Sequence, residues 1–144
     1  MNEVYFLRHY ISTLKYRSSK AILNTPINYY NFDIGSGVRT PIEILKHMSD
    51  VIRYAQTVFD DRIQMVVQIS TWDDEVNTFF KELSKLDELI ETIGIPQRER
   101  IIEQLIQGPL SDVMTHVGQL SMLRRMAGEP IPRENFFKAE IRVE

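Results

Sequence analysis

With 144 residues, 43% of them hydrophobic and 26% charged, the chain has the composition of one domain that can bury about 68% of its unfolded surface. Its 17 Lys and Arg against 20 Asp and Glu leave a net charge of −3 and no basic block, which excludes a surface built to replace counterions on nucleic acid. There is no Cys, so disulfides, thiolate nucleophiles and Cys-ligated zinc are excluded as well.

Residues 3–23 read as the first helix, with Tyr5, Phe6, Ile11, Leu14, Ala21 and Ile22 at near-helical intervals. Pro26 ends it by holding its predecessor extended. Charges interrupt every apolar run at this end, so no signal-peptide core is present, and no stretch of about 18 apolar residues spans a bilayer. The expected compartment is therefore the cytoplasm, with no membrane partner. The linker 26–40 opens on aromatics, closes on Gly35-Ser36-Gly37 and cannot be helical throughout. That glycine pair lacks the strand and Lys of a phosphate loop and reads as a flexible connection.

Thr40-Pro41-Ile42-Glu43 is a strong helix start. Thr40 caps, Pro41 suits the first helical position and Glu43 reaches back to the Thr40 amide. Ile44, Leu45, Met48, Val51, Ile52, Ala55, Val58 and Phe59 continue as a one-sided stripe. Residues 62–70 have strand-like β-branched content but no evident partner strand, so a loop or continued helix is expected. A third helix starts near Thr71, with Asp73, Asp74 and Glu75 in its first turn and Val76, Phe79, Phe80, Leu83, Leu86, Leu89 and Ile90 on its inner face. Gly94 closes it. Pro96 opens a shorter segment, Gly108-Pro109 interrupts it, and the last helix ends near Ala127-Gly128. Two prolines and a Phe136-Phe137 pair make the tail an extended segment lying against the core. With connections mostly short, the expected fold is all-α, a single-domain antiparallel four-helix bundle over residues 1–144, with a short additional helix and that tail.

Chemistry centres on the histidines His9, His47 and His116. His116 falls inside the apolar arc of Val113, Val117, Leu120 and Leu123, and Asp112 stacks one turn before it on the same face. His47 lies beside the stripe of the second helix. If that helix faces the last one, His47, Asp112 and His116 reach a single ion and leave a coordination position open, which suits Zn²⁺, Ni²⁺ or Fe²⁺. The plainer alternative is a helix-start carboxylate beside a packed imidazole. Thr115, Gln119 and Tyr54 sit where wheel position would let them support or line such a site. No H-E-x-x-H and no pair of E-x-x-H motifs occurs. Ser18-Ser19-Lys20 reads as a small-residue contact and Asp73-Asp74-Glu75 as a charged helix start. Trp72 and Tyr29-Tyr30 read as packing, and Met114, Met122 and Met126 as gap-fillers. Arg98, Arg100, Arg124 and Arg125 read as solvated charge.

Taken in order, YRSSKAI, RTPIEILKHM, WDDEVNTFF and GPLSDVMTHVGQLSMLRRMAGEPIPRENF resemble the DinB/YfiT-like superfamily of four-helix bundles with a metal site between helices. The most specific element is His116-Val117-Gly118-Gln119-Leu120. In that superfamily one ligand His lies on the second helix, which matches His47, and an HxxxH pair lies on the last. His116 matches the second member of the pair, and Asp112 stands where the first His is usual. The substitution keeps an anionic donor in reach, and it equally suits a branch with a degenerate metal site. The resemblance implies a metalloenzyme, either a hydrolase or a transferase that pairs the metal with a low-molecular-weight thiol and acts on a small-molecule electrophile. It also implies a homodimer. The alternative is a non-catalytic bundle that binds or dimerises through its cleft or surface.

Overall fold

The computed structural model describes residues 2–144, which fold into five α-helices with no strand among the described residues. They are α1 (Glu3–Ile22), α2 (Pro41–Gln56), α3 (Trp72–Ile93), the short α4 (Ile101–Leu105) and α5 (Ser111–Met126). A kinked segment, Ile106–Leu110, with non-helical backbone at Gly108, joins α4 to α5, and a 3-10 turn, Phe136–Lys138, interrupts the tail. None of these helices is long and apolar enough to cross a membrane.

Local chemistry sets the helix ends much as the sequence suggests. The Asn2 side chain accepts from the Tyr5 amide at 2.8 Å to start α1. At α2, the Glu43 carboxylate accepts from the Thr40 amide at 3.0 Å and from its hydroxyl at 2.7 Å. Gly94 stops α3 at φ 81°, a left-handed value that costs glycine little. The bonds from the Thr40 amide, then from its hydroxyl, hold the Glu43 carboxyl below its ordinary 4.5. A depressed folded pKa stabilises fully above the unfolded value and loses that contribution as pH falls through the folded one. Glu43→Gln is therefore expected to lower the melting temperature at pH 7, with the gap to wild type closing below pH 4.5. Parallel melting curves at pH 7 and pH 3 check this.

Four helices, α1, α2, α3 and α5, enclose one core in which Leu7, Leu14, Leu45, Met48, Ile52, Phe79, Leu86 and Leu120 are fully buried. Helix pairs in contact are α1 with α3, α3 with α2, α2 with α5 and α5 with α1, so α1 faces α2 across a diagonal. Arg8 near the start of α1 pairs with Asp87 late in α3 at 2.9 Å, so those two run antiparallel. Gln56 at the end of α2 donates to the Glu82 carbonyl at 3.0 Å, whereas Ile42 and Trp72 at the two helix starts line one cavity. Helices α2 and α3 therefore run parallel. At the other side Arg124, late in α5, reaches the end of α1, which makes that pair parallel too.

Two of the four neighbouring pairs thus depart from the expected antiparallel arrangement, and the reason is connection length. A parallel return must traverse a 16-residue helix, about 24 Å, which takes at least about seven extended residues. Residues 62–70 supply them. After a turn at Arg62 they form neither helix nor strand and, apart from the half-buried Ile63, are exposed, and the Val66 carbonyl accepts from Lys46 Nζ on α2 at 2.5 Å. Their β-branched content marks an extended crossover rather than a lost strand.

Three further expectations change. Tyr5 and Phe6 point outward, and Leu7 takes the buried position instead. The tail lies along α1 rather than on the core: Arg17 sits 4.0 Å over the Phe136 ring, Glu134 pairs with Lys20 at 3.3 Å, and Phe137 is exposed. Arg124, read as solvated charge, is buried and donates to the carbonyls of Lys20, Leu23, Asn24 and Glu129 at 2.9–3.0 Å. It caps the C-terminal end of α1 from another helix. Tyr29 is also fully buried, edge-on to Trp72 at 5.6 Å, and its hydroxyl donates to the Leu120 carbonyl at 2.7 Å. Burial pushes that hydroxyl well above the usual tyrosine range.

Candidate metal centre

The antiparallel packing of α2 on α5 sets His47 opposite the first turns of α5. The kink at Gly108 (φ −96°, ψ −105°) and the missing amide of Pro109 re-aim the chain there, so that α5 starts afresh and carries Asp112 in its first turn. Asp112 and His116 then share one face through their four-residue spacing.

The three side chains converge. Asp112 Oδ2 lies 3.4 Å from His47 Nε2, and Asp112 Oδ1 lies 3.3 Å from His116 Nε2. The imidazole rings meet edge to face, with centroids 4.8 Å apart and an interplanar angle of 89°. The nearest donor atoms of all three residues fall within 4.8 Å of one another, close enough to hold a metal ion. A tetrahedral ion with bonds of about 2.0–2.1 Å sets neighbouring donors about 3.3 Å apart. Each imidazole lies near that edge from a different Asp112 oxygen, and one carboxylate oxygen with the two imidazole nitrogens need to close by at most about 1.5 Å to match it.

His116 carries the strongest sign of preorganisation. It is buried, and its Nδ1 lies 2.7 Å from Gln119 Oε1. An amide oxygen accepts, so Nδ1 carries the proton and donates, which leaves the Nε2 lone pair turned toward the Asp112 carboxylate. Two acceptors facing each other at 3.3 Å need a cation or a proton between them. A divalent ion satisfies this arrangement, and so does protonation of the imidazole. His47 and Asp112 are half-buried, so the exposed side of the centre is theirs.

Of the supporting residues, Gln119 is in place. Tyr54 lies beside the centre in a groove that also contains Asp112. Thr115 is not: its hydroxyl donates to the Ser111 carbonyl of its own helix, and the residue is exposed. His9 lies elsewhere on α1, stacked on Tyr5. The larger cavity, about 670 Å³ around Trp72, Tyr30 and Ile27, contains none of the three candidate ligands.

Sequence reasoning missed a partly buried charge network beside the centre. Asp50 accepts from Lys46 Nζ at 2.6 and 2.7 Å and from Arg53 Nη1 at 3.0 Å. Gln56 Nε2 donates to Glu82 Oε2 at 2.7 Å, and Arg53 lies 3.8 Å from the same oxygen. The four-residue spacing of Lys46 and Asp50 was the available signal. The link to Glu82 on α3 has no local trace. Compared with protein-family models, curated proteins and solved structures, the chain matches none.

Proposed function

We propose that the chain is a metal-dependent enzyme of the DinB-like type, with His47, Asp112 and His116 holding one divalent ion and a low-molecular-weight thiol as co-reactant. The observation that carries the reading is the His116 ring, buried and oriented by Gln119 so that its free nitrogen faces the Asp112 carboxylate. Two imidazoles and a carboxylate suit zinc, nickel or iron(II). A bound ion of this kind supplies Lewis acidity, which favours the deprotonated, nucleophilic form of a small thiol near neutral pH. The protein's part is positional. Gln119 fixes the His116 tautomer, the α5 kink places Asp112, and α2 brings His47 to the exposed side, where an electrophilic small molecule enters.

A second reading, a non-catalytic bundle whose site has degenerated, is favoured by one observation. Asp112 holds an oxygen toward each imidazole, an ion-pair arrangement that stands without a metal once either ring is protonated. Elemental analysis of protein purified without a His tag separates the two. The enzyme reading expects close to one equivalent of zinc, nickel or iron in wild type and loss of at least about 90% of it in His47→Ala, because two remaining donors bind weakly. Substoichiometric metal that is unchanged in His47→Ala supports the degenerate site instead.

A further inference from the structure

Beside the candidate centre, a groove of about 510 Å³ runs between the second half of α2 and the kinked entry to α5. Its size falls in the range of small-molecule sites. Val51 and Tyr54 line it from α2, Gly108 and Pro109 from the kink, and Asp112 from the first turn of α5. Asp112 is thus at once a candidate ligand and a groove residue, so a molecule anchored at the centre has this groove beside it.

We propose that this groove is the subsite for the uncharged, apolar body of a small ligand whose donor head sits at the His47–Asp112–His116 centre, a proposal that rests on the metal reading above. Four observations give the chemistry. The groove's exposed lining offers more apolar than polar surface, through Val51, Pro109 and the ring of Tyr54. Its one fixed charge besides Asp112 is Asp50, whose carboxylate is already engaged by the buried Lys46 and Arg53 and so offers no free charge to a ligand. A Cβ built on Gly108 would meet nothing within 4 Å, so the backbone of the kink opens directly onto free space. Tyr54 is 66% exposed and presents a flat ring on which a planar apolar group can lie.

Hydroxamates test this, because one metal-binding head can be joined to bodies of different size. Cobalt(II)-loaded protein is titrated with acetohydroxamate and benzohydroxamate, with the visible absorption of the ion as readout. The phenyl body is expected to tighten binding about tenfold over the methyl body, the gain from burying part of one aromatic ring. Tyr54→Ala should bring that ratio to about twofold or less while leaving cobalt binding and acetohydroxamate affinity unchanged. Tyr54→Phe should keep it, since the ring and not the hydroxyl does the holding. Equal affinities for the two hydroxamates in metal-loaded wild type, or a ratio untouched by Tyr54→Ala, overturns the subsite and leaves the centre standing. Failure of wild type to bind cobalt at all overturns the centre and the subsite together.

Discussion

Chelation is expected to lower the melting temperature of wild-type protein by about 5–10 °C and to leave His116→Ala unchanged. An ion present at a hundred times its dissociation constant stabilises the folded state by about 2.7 kcal/mol. For a chain of this length each kcal/mol moves the midpoint by about 2–4 °C. His116 is the residue to remove because it is the buried candidate ligand and the one held by Gln119. Its loss also has a structural cost, since a buried ring on the α5 inner face leaves a void. For that reason the informative quantity is the difference between chelated and metal-replete scans within each variant. A wild type that melts at the same temperature with and without chelator would remove the metal reading.

Arg124→Met is expected to destabilise the fold by about 3–5 kcal/mol, a fall of about 10–15 °C in melting temperature. The guanidinium donates to four carbonyls at 2.9–3.0 Å, three of them at the exit of α1. Each carbonyl that stays buried without a donor costs about 1–3 kcal/mol, and water can reach only some of them. Methionine keeps most of the packed volume, so the loss reports the hydrogen bonds and not a cavity. The adjacent Arg125 is exposed, and Arg125→Met should stay within about 0.5 kcal/mol of wild type. Urea titrations of the two variants side by side check both values. A small effect at residue 124 would show that the α1 terminus is held by other means.

The contrast between Arg124 and Arg125 shows what a sequence can and cannot disclose. Thr40-Pro41-Glu43, Gly94 and Gly108-Pro109 were legible because capping and helix breaking depend on residues within one turn. His116 and Gln119 were legible because an apolar arc and a three-residue spacing are properties of a single helix. Arg124 was not, because its partners are carbonyls about a hundred positions away in the chain. The order of helices around the bundle was hidden for a similar reason. It follows from the path of residues 62–70, whose composition says extended but not in which direction. Tyr5, Phe6 and Leu7 show a smaller limit: three consecutive apolar residues cannot share one face, and periodicity did not say which of them turns inward. The convergence of His47 with Asp112 and His116 needed the pairing of α2 with α5, which spacing allowed but could not establish.

Chain order also sets when the centre can exist. His47 is synthesised before Asp112 and His116, which follow it in the chain. Helix α5, which carries two of the three donors, is the last helix of the bundle to be made. On the proposed reading, a chain without α5 has only one of the three candidate donors, so ion capture follows the docking of α5 on α2. Under that proposal, loading reports completed assembly of the bundle.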